Sequence, residues 1–239
     1  HGDIRIKQGM FSYPEQPRPA LENVNITINS GEKVAIIGRI GSGKSTLAKL
    51  LIRLYEPTSG SVLMDGFDIN QLDPADLRHN VAYVAQDAKL YFGTLRDNIT
   101  FGLNGITDQQ VVDAAEQAGI LELVNSHPLG FEMPVGERGE TLSGGQRSAI
   151  AMARVFLRKP RVLVMDEPTS AMDQGTEERL TQQIKTRFSN STLLIITHKM
   201  SMLTLVDRLI VVDRGVIISD GPKSEVLAAL KEGKIRGKG

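Results

Sequence analysis

The sequence contains no cysteine and no tryptophan, and only 5% of its residues are aromatic. Without cysteine, disulfide bridges and cysteine-ligated metals are excluded, which fits a reducing compartment. Positive charge is not in excess either, because 28 Lys and Arg residues balance 28 Asp and Glu residues. A neutral chain has no overall attraction to nucleic acid or to anionic lipid, so we expect no nucleic-acid partner.

Long apolar runs are also missing, and the longest are short stretches such as Leu193–Ile196 and Leu209–Val212. Crossing a bilayer takes about 18 or more consecutive apolar residues. We therefore expect any membrane-spanning part to lie on sequence outside these 239 residues. Because 41% of the residues are apolar, the chain can bury one large domain, or a core with an inserted subdomain.

Strand-like and helix-like segments alternate along much of the chain, which is typical of an α/β domain with a mainly parallel sheet. Residues 4–6 and Val24–Ile28 instead alternate with a period of two, which predicts an N-terminal antiparallel β-subdomain. The apolar segments predict further strands at Lys33–Ile37, Val81–Val84, Val162–Met165, Leu193–Thr197 and Arg208–Val212.

The segment from Asp87 to Leu157 is predicted to be helical throughout. Thr107 begins a capping box, with a glutamine three residues later, and Ser143 is placed to cap a helix that runs to about Leu157. Because this block interrupts a series of sheet strands, we interpret residues 87–157 as an inserted helical subdomain. Residues 1–86 and 158–239 would then form the β-subdomain and a P-loop core.

Residues 38–45 read Gly-Arg-Ile-Gly-Ser-Gly-Lys-Ser and match the phosphate-loop pattern in full, between a predicted strand and a predicted helix. Glycines allow backbone N–H groups to approach phosphate oxygens, and the helix N-terminus adds its positive dipole. Lys44 is predicted to reach the β- and γ-phosphates, and the Ser45 hydroxyl to bind Mg²⁺. The alternative, a flexible turn, does not explain the flanking strand and helix. The predicted nucleotide contacts are Gly38, Arg39, Ile40, Gly41, Ser42, Gly43, Lys44, Ser45 and Thr46.

Two acids, Asp166 and Glu167, follow four apolar residues at the end of a predicted buried strand. In P-loop enzymes an acid in this place helps to hold Mg²⁺, which predicts a metal role for Asp166. Glu167 can act as the general base that polarises the attacking water. The alternative is an ordinary strand end at solvent, and the phosphate loop upstream disfavours it.

The segment Leu142-Ser-Gly-Gly-Gln146 resembles the signature motif of ABC ATPases and ends 20 residues before Asp166. With the phosphate loop, the resemblance covers essentially the whole chain and disfavours a kinase or a GTPase. It implies a head-to-tail dimer in which the signature motif of one copy contacts the γ-phosphate of ATP bound by the other. The signature contacts would be Ser143, Gly144, Gly145 and Gln146. ATP but not ADP could then bridge both surfaces.

Four further positions resemble functional residues of the family. Tyr13 resembles the aromatic residue that stacks on adenine, and Gln86 the glutamine that contacts Mg²⁺ and the attacking water. His198 resembles the histidine that holds the γ-phosphate, and Asp173 the loop acid that crosses the dimer interface. The chain departs from the family pattern at Met172, where leucine is usual, at Ser148, where many members have glutamine, and at Ile40, where many have a small polar residue. The change at Met172 conserves side-chain volume, and neither of the other two threatens ATP binding.

Two other segments, Tyr91–Ile99 and Pro134–Gly139, resemble parts of ABC exporters. The second resembles the loop that touches the coupling helices of the membrane domain. This implies a transmembrane domain before His1 on the same polypeptide, with the ATPase domain on the cytoplasmic side of the bacterial inner membrane.

Shorter segments resemble type I secretion ATPases of Gram-negative bacteria, in particular those that export RTX adhesins or toxins. This resemblance implies a membrane-fusion adaptor and an outer-membrane channel as partners. Three alternatives stay open: an exporter of lipid or drug, a soluble ABC ATPase acting on nucleic acid, and a non-catalytic ABC module. The soluble ATPase is disfavoured because it predicts a tandem ATPase domain or a coiled-coil insertion with basic patches, and none is seen. The non-catalytic module is disfavoured because Lys44, Asp166, Glu167 and His198 are intact. The predicted catalytic residues are Lys44, Gln86, Glu167 and His198. The short segments that resemble type I secretion ATPases are Ile37–Gly43, His127–Phe131, Ala171–Asp173, Leu205–Ile210 and Asp220–Lys223.

Overall fold

A computed structural model describes residues 1–235 of the chain. The strands are β1 (Ile4–Phe11), β2 (Leu21–Ile28), β3 (Lys33–Ile37), β4 (Ser59–Met64), β5 (Phe67–Asp68), β6 (Val81–Val84), β7 (Gly93–Thr94), β8 (Pro134–Val135), β9 (Val162–Asp166), β10 (Thr192–Ile196), β11 (Arg208–Asp213) and β12 (Val216–Pro222). The helices are α1 (Lys44–Leu51), α2 (Pro74–Asn80), α3 (Leu95–Thr100), α4 (Asp108–Gln117), α5 (Leu121–Ser126), α6 (Gly144–Arg158), α7 (Gln174–Arg187) and α8 (Lys223–Lys231).

The chain divides into two compact units. The core unit comprises His1–Tyr83, Arg161–Asp166 and the residues from Asn190 on, and the helical unit comprises Val84–Pro160 and Glu167–Ser189. The core unit contains a six-stranded and a four-stranded sheet. The predicted fold class, α/β with an antiparallel N-terminal sheet, is therefore confirmed. Through residue 235, no helix combines the length and the apolar character that a membrane crossing requires.

The six-stranded sheet has the order β12-β11-β3-β10-β9-β6. Every residue of β9 and of β10 is buried, which explains why both strands are apolar except at Thr192, where β10 begins, and at Asp166, where β9 ends. The parallel register places Ile196 beside Ile36 on one side and beside Asp166 on the other. Since these three strands end in step, the segments that follow them leave the sheet at one shared edge.

The four-stranded sheet has the order β2-β1-β4-β5 and is antiparallel, as the period-two patterns predict. Ile4 pairs with Ile28 and Ile6 with Ile26, so the apolar residues of both strands share one face. That face is buried in the same hydrophobic cluster as the apolar side of α1. The packing fixes the end of β1, and Tyr13 follows it by two residues.

The prediction that Asp87–Leu157 is helical throughout is wrong. Strands β7 and β8 form a short antiparallel ribbon in which Gly93 pairs with Val135 and Thr94 with Pro134. Gly93 has a φ of +144°, and proline cannot donate a helical hydrogen bond, so both positions oppose a continuous helix. Both predicted caps are present, however: Thr107 caps α4 and Ser143 caps α6, each within a capping box.

Candidate nucleotide site and signature motif

The phosphate loop leads into α1 through Gly43, which has a φ of +106°. No side chain caps this helix and no acid lies in its first turn, so its N-terminal amides are open to an anion. A side chain at Gly43 is excluded, because a Cβ atom there would lie 2.7 Å from the Ala20 carbonyl oxygen. Gly41 has a φ of +77° and faces open space, which leaves room for phosphate oxygens.

Two buried side chains of the loop, Lys44 and Ser42, can donate hydrogen bonds to a bound phosphate. The Lys44 ammonium donates hydrogen bonds to the carbonyl oxygens of Gly38 and Arg39, both at 2.8 Å. The Ser42 hydroxyl is buried and has no hydrogen-bond partner within residues 1–235. A buried polar group without a partner costs about 1–3 kcal/mol. An anion in the loop would give both groups a charged acceptor.

Tyr13 lines a cavity of about 500 Å³ together with residues 41–46 of the phosphate loop and α1. Its hydroxyl lies 2.9 Å from the Thr46 hydroxyl, which ties the ring to the first turn of α1. The rings of Phe11 and Tyr55 meet the Tyr13 ring edge to face, with centroids 5.0 and 5.6 Å away. The structure therefore presents a braced aromatic ring beside the phosphate loop, as an adenine-stacking role requires.

The same cavity contains residues that the sequence analysis did not identify as functional. Arg18 and Arg214 line it, and both side chains are exposed. Two guanidinium groups add positive charge beside a loop that would hold three phosphates. Arg18 stands between Pro17 and Pro19, five residues after the aromatic Tyr13, but short proline-rich turns of this kind occur in loops of every function.

Asp166 and His198 emerge at the same sheet edge as the phosphate loop. Asp166 is buried at the end of β9 and accepts a hydrogen bond of 3.4 Å from the Tyr83 hydroxyl. Burial, together with the nearby Asp166 carboxylate, raises the pKa of Tyr83, so this tyrosine stays a donor at neutral pH. His198 is exposed and lines a second cavity with Gly38 and Arg39. The core unit thus brings together the predicted phosphate, adenine and histidine positions.

Gln86 and Glu167 stand at the two points where the chain enters the helical unit. Gln86 is exposed and makes no hydrogen bond within the described residues. Glu167 directly follows Asp166 and has a φ of +46°, a left-handed conformation that costs a non-glycine residue about 1–3 kcal/mol. Strain of this kind clusters at functional sites. The catalytic roles of Gln86 and Glu167 stay a prediction.

The signature motif forms the N-terminus of α6. The Ser143 hydroxyl accepts a hydrogen bond from the Gln146 amide at 3.2 Å, and the Gln146 side chain accepts from the Ser143 amide at 2.8 Å. Both motif side chains are therefore occupied in forming the cap. A Cβ atom at Gly145 would lie 2.8 Å from the Ala171 carbonyl oxygen, so the loop at residues 171–172 packs directly on the motif. This contact explains why glycine is required here.

Asp173 has a local structural role that the sequence resemblance did not include. Its carboxylate caps α7 by accepting hydrogen bonds from the Thr176 amide at 2.9 Å and the Thr176 hydroxyl at 2.6 Å. The bond from the Thr176 hydroxyl, followed by that from the amide, lowers the pKa of Asp173. A role in a dimer interface stays a prediction, and the cap would hold the loop that carries this acid.

Arg154 on α6 organises a second cluster, which the sequence analysis missed. Its guanidinium donates to the backbone oxygen and, at 2.8 Å, to the side-chain oxygen of Asn98, and it lies over the rings of Tyr91 and Phe101. Asn98 in turn bonds both backbone groups of Tyr91, at 2.8 and 2.9 Å. Burial lowers the pKa of Arg154 to about 10, so it stays charged at neutral pH. The signature helix and the segment Tyr91–Phe101 are thereby joined.

Comparison with known proteins agrees with this arrangement. Residues 21–170 match the family described as ABC transporter. The ATP-dependent lipid A-core flippase of Vibrio cholerae serotype O1 is 38% identical over 229 residues, which cover 95% of this chain and 39% of the flippase. A Staphylococcus aureus protein named "Putative multidrug export ATP-binding/permease protein" is 38% identical over 232 residues, which cover 94% of this chain and 40% of that protein.

Among solved structures, a bacterial Atm1-family ABC exporter with ATP bound superposes with a TM-score of 0.90 at 33% sequence identity, covering 95% of this chain and 40% of that chain. The chain thus spans about two fifths of the length of these relatives. The family match agrees with the position of the signature motif at the start of α6 and with that of the phosphate loop before α1. The chain belongs to the ABC transporter family, as an ATPase domain of that family.

Proposed function

We propose that this chain is the ATP-hydrolysing domain of an ABC exporter and that two copies close head to tail around ATP. The observation that carries the export function is the ribbon of β7 and β8. It pairs the two segments that resemble exporter parts, Tyr91–Ile99 and Pro134–Gly139, although about 40 residues separate them in sequence. The names of the relatives above agree, since they describe a flippase and exporters.

Nucleotide binding follows from the core unit. Tyr13 would stack on adenine, and the amides of residues 41–46, with the Lys44 ammonium, would hold the phosphates. Lys44 would have to exchange its bonds to two loop carbonyls for bonds to phosphate oxygens, which are stronger because they are charge-assisted. His198 lines one cavity with Gly38 and Arg39 of the loop, where a terminal phosphate would meet it.

The residues present fit a Mg²⁺ ion. Within residues 1–235 no cluster of three or more His, Asp or Glu side chains could hold a metal alone. Mg²⁺ in nucleotide sites keeps several waters and is held by a few protein oxygens together with the substrate phosphates. Ser45, Asp166 and Gln86 would supply these oxygens, and the Ser45 hydroxyl makes no hydrogen bond in the described chain. When bound, the ion would neutralise charge that develops on the phosphates.

Hydrolysis would use Glu167 as the general base for water, positioned by its left-handed backbone conformation. The signature motif of the second copy would close the site. Its side chains already form their own cap, so they need not reorganise when phosphate arrives. Preorganised amides and dipoles of this kind are the most effective way to stabilise transition-state charge.

Coupling to transport would pass through the ribbon. Tyr91, Phe92 and Phe101 are large apolar side chains that stay exposed beside it. Arg154 joins this region to the signature helix, so a movement of α6 on ATP binding would reach the exposed aromatic residues. A membrane domain at this surface would receive that movement. We place this domain before His1 on the same polypeptide and the ATPase domain on the cytoplasmic side of the bacterial inner membrane.

The cargo is better described as lipid or drug than as protein. The two curated relatives reported above are named for lipid A-core and for multidrug export. The type I secretion resemblance rests on short segments only, and no relative reported above supports an adaptor or an outer-membrane channel. We therefore do not propose these two partners.

The loop Pro134–Gly139 provides the test of the exporter proposal. Glu137 is exposed and contributes no phosphate ligand, so Glu137→Ala should leave ATP hydrolysis by the isolated domain nearly unchanged. In the transporter that contains this chain, the same change should lower transport several-fold, corresponding to a coupling loss of about 1–2 kcal/mol. Glu116→Ala, another exposed glutamate of the helical unit, is the control and should affect neither. Loss of hydrolysis in the isolated domain, or unimpaired transport, would contradict the proposed coupling.

A further inference from the structure

An isoleucine of the phosphate loop is almost fully exposed. Ile40 is 97% exposed, more than any other large hydrophobic residue described. Its neighbour Arg39 is also exposed and makes no ion pair within residues 1–235. An exposed isoleucine forgoes the free energy that its side chain would gain by leaving water for an apolar environment. Nucleotide binding by the loop uses backbone amides and Lys44, so it gives no reason for an apolar side chain at this place.

A pocket that suits such a side chain lies beside the signature motif. It has a volume of about 430 Å³ and belongs entirely to the helical unit. Its apolar part is formed by Ile120, Leu123, Ala149 and Met172, of which all but Leu123 are buried. Its rim carries two exposed acids, Glu122 and Asp173. The Ser143 and Gly145 positions of the signature motif form part of the same wall.

We infer that Ile40 of one copy inserts into this pocket of a second copy when ATP closes the dimer. The inference rests on the proposed head-to-tail dimer, which brings the signature motif of one copy to the phosphates held by the other. Ile40 adjoins Gly41 at those phosphates, and the pocket adjoins the signature motif. Closure of the dimer would therefore bring Ile40 of one copy to the pocket of the other.

Charge supports the same pairing. Arg39 stands next to Ile40 on the loop, and the acids Glu122 and Asp173 stand on the rim of the pocket. An exposed cation would thus approach two carboxylates while the apolar side chain covers the apolar floor. Two of the three residues at which this chain departs from the usual family pattern, Ile40 and Met172, would meet in one contact. The pocket would then select a partner with a hydrophobic residue at this loop position, which here is another copy of the same chain.

The first test measures dimer affinity with ATP in the Glu167→Gln background, which is expected to hold ATP without turning it over. Ile40→Ala should raise the dimer dissociation constant about tenfold for each of two symmetric contacts, or about a hundredfold in total. Ile40→Val, which removes one methylene group, should raise it less. Because Ile40 is exposed, neither change should alter folding. An Ile40→Ala dimer as tight as the parent dimer would overturn the inference and leave the proposed function intact. A parent that forms no ATP-dependent dimer would instead contradict the proposed function.

The second test uses the absence of cysteine from the chain. Ile40→Cys combined with Ala171→Cys places one thiol on the loop and one at the pocket, and mild oxidation should cross-link two copies in the presence of ATP. Ile40→Cys with Ala75→Cys is the matched control, since Ala75 is an exposed alanine of the core unit outside the pocket. Equal cross-linking in both pairs, or none in the first pair while the dimer forms, would overturn the contact.

Discussion

The role of Tyr13 in adenine binding can be tested by removing first its hydroxyl and then its ring. Tyr13→Phe loses the 2.9 Å contact with Thr46 but keeps the ring between its two aromatic neighbours. That contact joins two protein groups, so its loss lowers the stability of the domain by about 0.5–1.5 kcal/mol. The affinity for ATP should therefore change less than about threefold.

Tyr13→Ala removes the ring itself. Stacking of a base on an aromatic side chain contributes about 1–3 kcal/mol, which is a factor of about 5 to 150 in the dissociation constant. The measurement is isothermal titration calorimetry with ATP on wild type and both variants. An alanine variant that binds ATP as tightly as wild type would refute the stacking role, and so would a phenylalanine variant as weak as the alanine variant.

Tyr55 supplies the matched control for this experiment. Its ring stacks on Phe11 at 5.0 Å and touches Tyr13, but it does not line the nucleotide cavity. Tyr55→Ala should thus lower the unfolding free energy as the loss of a half-buried aromatic residue does, while leaving ATP affinity close to wild type. If both alanine variants lose affinity equally, the aromatic cluster acts by supporting the loop, and direct stacking is wrong.

Further predictions concern catalysis, acid stability and the salt-bridge network. Glu167→Gln should retain ATP binding and lower turnover about a hundredfold or more, measured by phosphate release; turnover at the wild-type rate would exclude Glu167 as the base. Because the pKa of Asp173 is lowered in the folded state, its ionised cap stabilises the domain above the unfolded pKa of about 3.9, and this stability is lost as pH falls through the folded pKa. The stability difference between wild type and Asp173→Asn in urea unfolding should accordingly be larger at pH 7 than at pH 3, and a constant difference would contradict the effect. Arg208 binds Asp220 through two hydrogen bonds of 2.6 and 2.7 Å and Glu32 through one of 2.8 Å. Arg208→Met should therefore lower the unfolding free energy by about 1–3 kcal/mol. Arg5→Met is the control and should lower it by less than about 0.5 kcal/mol, because the ion pair of Arg5 with Asp3 is 3.9 Å long and exposed.

Sequence patterns were sufficient to predict the parallel strands and the phosphate loop, because burial on both faces and the loop's glycines leave few alternatives. Strands β3 and β6 agree with the prediction at both ends. Strands β9 and β11 begin at the predicted residue and end one residue later than predicted. Helix α1 ends at Leu51, and Arg53 has a φ of +55° that does not fit a continued helix. The capping boxes were predictable because they depend on side chains three residues apart.

Other features depend on contacts between distant residues and carry no local pattern. The β7–β8 ribbon joins two-residue strands about 40 residues apart, too short for any periodicity. The Arg154 cluster needs Asn98 and two aromatic residues from another segment, and nothing in the sequence around Arg154 distinguishes it from a surface arginine. The cap role of Asp173 was predictable from Thr176, but the family resemblance directed attention to the interface. The domain boundaries 1–86, 87–157 and 158–239 stay a prediction.

The central claim is that ATP is held between the phosphate loop of one copy and the signature motif of another. A mixture of Lys44→Ala chains and Ser143→Arg chains tests it most directly, because their heterodimer contains one site with both halves intact and one with both halves damaged. Each variant alone should hydrolyse ATP at a small fraction of the wild-type rate, and mixing should restore activity that rises with protein concentration. Activity of the mixture equal to the average of the two parents, at concentrations where wild type dimerises, would contradict the account.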